Sequence, residues 1–349
     1  MIDDTAALQD QINREGANAH IELRKGVHNI TRKVHAKHQR VHLHGAGLYA
    51  TTVLFDPKDD PQAESLDDGY VCFDFSSGPN VHYQSSLTDL SFYSHDSKKT
   101  KIAIDLADFS DFKLDRVSVG GSVVTPQGTC AWTGGKGSVA LRTRGRELLE
   151  ANKLTISADR PIQFSKNPNN ENIACDHFHF SNINLIGNGH PLVSVDDENV
   201  RITQMLFDGY QAWCLGTHGF YWKDTKSQYV SNGITLKNVR WEQEESADGN
   251  LVHIEHNSAC QKIALDDCYM GTRAKGLYLR NCQNVSLNRH WHIVQNECLN
   301  VDESVNGIHA WDCFWQVGTT ASLRGQNMVW SIPKTLAAAL PRSFILEPY

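Results

Sequence analysis

The residues best suited to chemistry fall into two short columns: Tyr221, His253, Tyr278 and Asn300 in one, and Lys223, Glu255, Arg280 and Asp302 in the other. Each member of the second column follows its counterpart by two residues, so a pair shares one face of an extended strand. Asp196, two residues after Ser194, extends the charged column at its N-terminal end. Flat rings cover apolar faces of a ligand, while ionisable neighbours orient hydroxyls or move protons. That pairing suits a carbohydrate.

Two reactions are open to such a patch. Hydrolysis of a glycosidic bond needs two carboxylates, roughly 6.5–9.5 Å apart for inversion. Glu255 and Asp302 stand two repeats apart, and two rungs of about 4.8 Å put their backbones near that range. Arg280 lies between them and opposes a raised pKa on either. Alternatively, Arg280 or Lys223 neutralises the carboxylate of a uronic acid while His253 or Tyr278 removes the adjacent proton. Asp196, Tyr221, Lys223, Trp213 and Asn300 are the expected substrate contacts. A purely structural ladder of alternating charges, each contact worth roughly 0.2–1 kcal/mol, explains the second column without any chemistry.

The elements that must position these residues are short strands. After one amphipathic helix, opened by Asp3-Asp4-Thr5 and stopped at Gly16, helical periodicity gives way to brief alternating runs separated by Gly, Asn and Asp. The runs ending at Ile104, Leu141, Phe164, Val195, Trp222, Ile254, Leu279, Val301 and Leu323 recur at intervals of 37, 23, 31, 27, 32, 25, 22 and 22 residues. A second strand follows most of them, as in Ile234-Thr235-Leu236. A minimum repeat of 22 residues with two or three strands fits one turn of a parallel β-helix. The expected architecture is therefore an all-β solenoid: a cap helix over 1–20, the β-helix over 21–330, and a cap or tail over 331–349. In that tail Pro333–Leu340 reads as a short helix. Trp222 should point inward. An antiparallel sandwich or propeller is the competing fold.

Of the 349 residues, 40% are hydrophobic and 21% charged, which supports a substantial core. The net charge of -7 and the lack of a basic stripe argue against a nucleic-acid partner. No long apolar run suggests membrane insertion, and no secretory leader is recognisable. Nine cysteines without close pairs fit neither a disulfide framework nor a zinc ribbon. Cys268, Cys282, Cys298 and Cys313 read as buried thiols, consistent with synthesis in a reducing cytoplasm.

The opening Asp3-Asp4-Thr5-Ala6-Ala7-Leu8-Gln9, then Ile21-Glu22-Leu23-Arg24-Lys25-Gly26 and Val41-His42-Leu43-His44-Gly45-Ala46-Gly47, resembles the entry of pectate-lyase-like right-handed parallel β-helices, including phage tailspikes. The resemblance covers roughly the first 55 residues and extends further through the repeat. It implies an extracellular or virion-tail protein that binds and depolymerises a bacterial capsule or O-antigen. It also implies a homotrimer in contact with other tail proteins and, from the breadth of tailspike activities, a slight preference for hydrolase over lyase. A non-catalytic adhesin is the alternative, and a microbial plant-cell-wall enzyme a third. The chain would be a fragment or an accessory spike, since no particle-binding segment precedes Asp3. The polygalacturonase order of motifs is absent: Asp266-Asp267 is present, but Gly216-Thr217-His218-Gly219 is imperfect and comes before it.

Reserve acids are Asp197, Glu303, Glu242, Glu244, Glu245, Asp266 and Asp267. His35, His38, His42 and His44 gather near the first coil without a recognisable ligand spacing, so no metal and no cofactor are assigned.

Overall fold

In the computed structural model the described residues are 3–59, 69–76, 82–95, 98–120, 123–125, 128–130, 136–144, 147–166, 174–187, 189–198, 200–214, 218–226, 228–243, 249–272, 275–294, 297–315 and 320–330. The alternating runs become strands that pair in parallel with the coil before and the coil after. Val193–Val195 pairs with Phe220–Asp224, which pairs with Asn250–Asp266; Lys275–Asn288, Glu297–Val301 and Thr320–Leu323 continue the stack. The chain is a parallel β-helix, as the entry segment implies. Among the described residues the antiparallel pairing is confined to Val123–Thr125 with Gly128–Cys130.

One coil shows the plan. Phe220–Asp224 forms a first face, and Val230–Gln243 bends at Asn238 so that residues 230–237 lie on a second face and 239–243 on a third. The bend is left-handed backbone, and it recurs in register at Asp89, Arg116, Lys153, Asn182, Gly209, Asn238, Asp267, Arg289 and Asp312, with φ between 47° and 68°. Six of the nine are Gly, Asn or Asp, the residues that enter this region at least cost.

Side chains alternate between core and solvent, so each face stacks like with like along the axis. On the first face the inward column Val195, Trp222, Ile254, Leu279, Val301 is at most 1% exposed. Trp222 points inward as expected, with its ring edge-on to His256 at 4.8 Å. Phe164 through Leu323 pair in the order read from the repeat. The step before needs correction: Leu141 stands opposite Ile162, and Phe164 opposite Thr143. Thr143 is an inward residue, fully buried, whose polarity hides the second inward position of its strand.

The helix Thr5–Glu15 closes the N-terminal end, with Leu8 and Ile12 joining the core and Gly16 N–H donating to Ile12 O. It also satisfies the open edge of the first coil, which would otherwise recruit other chains. The Gln9 amide donates to His35 O at 3.0 Å and accepts from His35 N–H at 2.8 Å, while Asp4 bonds Asn29 through both backbone and carboxylate. Capping falls to Asp3, whose carboxylate accepts the Thr5 N–H and the Thr31 hydroxyl and is held well below the usual carboxylate range by those bonds. The expected helix at Pro333–Leu340 lies outside the described residues.

Candidate functional site

The first face carries the two chemical columns. Ser194, Tyr221, His253, Tyr278 and Asn300 are opposed in consecutive coils, and Lys223, Glu255 and Arg280 are opposed two residues later. Stacking at rung height turns the first column into a ladder of rings. Tyr221 and His253 have centroids 5.0 Å apart, and His253 and Tyr278 4.5 Å apart with planes 11° from parallel. His218, just before the strand Phe220–Asp224, completes the ladder at 4.7 Å from Tyr221 and 5.2 Å from His253.

His218 escaped the sequence reading as a site residue because it lies outside the alternating strand. The Asn250 N–H donates to its Nδ1 at 2.9 Å, which leaves the proton of a neutral His218 on Nε2. The Asn250 side-chain oxygen lies 3.5 Å from His253 Nδ1. His253 Nε2 has no hydrogen-bond partner and stands 3.8 Å from Glu255 Oε2, a charge contact rather than a hydrogen bond. Burial lowers the His253 pKa, so the imidazole is neutral at neutral pH; Glu255 pulls the other way but loses. Burial likewise raises the Tyr221 phenol above its ordinary value.

Glu255 is the pivot of the charged column. Its side chain is 9% exposed, with Lys223 at 3.2 Å and Arg280 at 2.9 Å on either side. Two cations on one carboxylate leave one net positive charge facing outward. Asp302 continues the column but is committed elsewhere: it accepts the Ser304 hydroxyl at 2.7 Å and N–H at 3.1 Å, which hold its pKa down. Arg324 stands 3.6 Å from it. At the other end Asp196 pairs with Arg160 at 2.6 Å and Gln163 at 2.7 Å.

Trp213 does not join this cluster. It is exposed on the third face, opposite Ile186 and Glu242. Among the reserve acids, Glu242 is bonded by Arg240, Asp266 and Asp267 by Arg289, and Asp197 by the Lys166 N–H. Glu303 is exposed; Glu244 and Glu245 lie outside the described residues. His42 and His44 bond Ser86 and Thr88 across one rung, and His35 bonds Ser76 O. Among the described residues no group of three His, Cys, Asp or Glu side chains is placed to hold a metal. Cys268, Cys282 and Cys313 are free buried thiols, whereas the Cys298 side chain lies outside the described set. No helix among the described residues is long and apolar enough to cross a membrane.

No protein-family model and no curated protein sequence matches the chain. Solved structures with similar architecture include ORF18 of Geobacillus virus E2, at 12% identity over 95% of this chain and 57% of that one, with a TM-score of 0.47. PfbA, a surface adhesin of Streptococcus pneumoniae, is 11% identical over 96% and 90%, with a TM-score of 0.48. The A-module of the Azotobacter vinelandii mannuronan C-5 epimerase AlgE6 is 13% identical over 96% and 97%, with a TM-score of 0.46. The chain thus spans 57% of the length of the Geobacillus virus protein. Nothing about substrate or chemistry follows from likenesses at this level.

Proposed function

We propose that the protein binds an acidic polysaccharide along its first face and cleaves it by β-elimination at a uronic acid. The observation that carries this reading is His253: a neutral imidazole, its buried Nε2 without a hydrogen-bond partner, stacked between Tyr221 and Tyr278 on the same strand as Glu255, which Lys223 and Arg280 flank. Lys223 or Arg280, on either side of Glu255, accepts the sugar carboxylate, which acidifies the neighbouring C5–H. His253 Nε2, buried in the free protein and brought to the groove by a turn of the ring, takes that proton, the C4–C5 double bond forms, and the C4–O bond breaks. Tyr221, kept protonated by burial, gives a proton to the departing oxygen.

The hydrolase reading, slightly preferred from the sequence, loses support from Asp302. A general acid needs a raised pKa, whereas the Ser304 bonds lower that of Asp302 and two cations flank Glu255. We assign the polymer to a bacterial surface and the protein to the extracellular side or a virion tail, with a homotrimer as the proposed assembly, to be read by sedimentation.

The test is incubation of the purified chain with capsule, O-antigen and uronate polymers, following chain length by size exclusion and new double bonds by ultraviolet absorbance. Shortening with unsaturated ends supports elimination. Shortening without them returns the hydrolase pair, and retention without shortening makes the protein an adhesin.

A further inference from the structure

On the first face, charge is layered as well as alternated. Each cation beside Glu255 and Asp302 shows more surface than the carboxylate beneath it: Lys223 47% and Arg280 50% against Glu255 at 9%, and Arg324 60% against Asp302 at 22%. Arg142 and Arg144 also pair with Asp105, but at 6% and 14% exposure they are buried with it and add little surface charge. Arg160 and Asp196 are the even case, at 28% and 26%. In a chain of net charge -7, this face therefore presents positive charge outward.

The cations also have a period. Lys223, Glu255, Arg280, Asp302 and Arg324 occupy consecutive rungs, so Lys223, Arg280 and Arg324 recur at every second rung, about 9.6 Å apart at the usual strand spacing. A pyranose in an extended 1→4-linked chain is about as long as one rung is high. A polymer lying beside the ring ladder of Tyr221, His253 and Tyr278 thus meets a cation at every second sugar and a carboxylate at the sugars between.

We infer that the groove selects an acidic polysaccharide whose negative charge recurs once per disaccharide, an alternation of anionic and neutral sugars, over a polymer charged at every residue. The inference rests on reading the first face as a polysaccharide groove. The anionic sugars sit against Lys223, Arg280 and Arg324; the neutral ones sit over Glu255 and Asp302, whose charge already offsets part of the cations on either side and leaves none to receive a second carboxylate.

Binding of length-matched oligosaccharides to the full chain carrying His253→Gln, which slows turnover about a hundredfold or more, tests it by calorimetry. The probes are alternating uronate–hexosamine polymers (hyaluronate, chondroitin and heparosan), polygalacturonate, and a neutral glucan. At least one alternating polymer should bind tenfold or more tighter than polygalacturonate, with an affinity that falls as salt rises. Arg324→Gln, remote from the ring ladder, should weaken that polymer about fivefold and leave the neutral glucan unchanged. Polygalacturonate binding as tightly as every alternating polymer, no effect of Arg324→Gln, or binding of none of the alternating polymers would overturn the inference. The groove reading itself fails separately, if Tyr278→Ala leaves the affinity of whichever polymer binds untouched.

Discussion

His253 lies flat on Tyr278, ring centroids 4.5 Å apart and planes 11° from parallel, because the two residues are directly opposed in neighbouring coils. The stack buries the imidazole, and that burial makes it a base rather than a cation at neutral pH. Replacing His253 with Gln is expected to lower kcat about a hundredfold or more while leaving KM nearly unchanged, since general-base catalysis contributes roughly that much. The acid limb of the pH profile should have its midpoint below the ordinary imidazole value of 6.5. The neutral form is active, so rate is lost as pH falls through that midpoint. A midpoint at or above 6.5 would contradict the assignment.

Glu255 separates the two chemistries. Under elimination it restrains Lys223 and Arg280, so Glu255→Gln should keep kcat within about tenfold and tighten binding of an acidic polymer, with a steeper salt dependence. Under hydrolysis the same substitution removes a reacting carboxylate and abolishes turnover. Stability should drop by only about 1 kcal/mol, because both cations are half-exposed and return to water. Kinetics of the variant at two salt concentrations distinguishes these outcomes.

The two chemical columns were legible in the sequence because the β-helix repeats its inside–outside alternation at every rung. From Phe164 to Leu323, one apolar residue per strand is enough to set register. The pattern fails at Leu141, where buried Thr143 looks like an outward residue. It is silent on His218, which is placed by the rung beside it rather than by any period. The corner is half legible. Asn182, Gly209, Asn238, Asp267 and Asp312 announce left-handed backbone, but Arg116, Lys153 and Arg289 occupy the same position with side chains that give no such signal.

Lys153 is the place to test that corner. Its φ is 54° and its side chain is exposed, so the residue bears backbone strain of roughly 1–2 kcal/mol without a buried contact in return. Lys153→Gly relieves the strain but loosens the unfolded chain by about 0.4–1 kcal/mol, for a net gain of about 0.5–1 kcal/mol. Lys153→Val keeps the strain and adds β-branching, and should lose about 1 kcal/mol or more. Urea unfolding of the two variants should therefore move the midpoint in opposite directions. Equal midpoints would remove the strain from the account.

His290 provides a stability readout independent of the groove. It follows the corner residue Arg289, at the position that Cys268 and Cys313 hold in the adjacent coils, and it is fully buried. Burial pushes its pKa down from 6.5 to about 3. Above pH 6.5 the imidazole is neutral in both folded and unfolded chains and contributes no pH dependence. As pH falls below that value the unfolded chain takes up a proton that the folded chain refuses, so stability is lost, at about 1.4 kcal/mol per pH unit, until the folded pKa is reached. His290→Leu keeps a side chain of similar size in an apolar column and removes the titration. Urea unfolding at pH 7, 6, 5 and 4 should then show the variant gaining on the parent by about 1.4 kcal/mol per unit below pH 6. His253 and His256, both lowered in pKa by burial, add acid sensitivity of the same sign that the variant retains. A constant difference between variant and parent across that range would mean that His290 gains its proton without opening the fold.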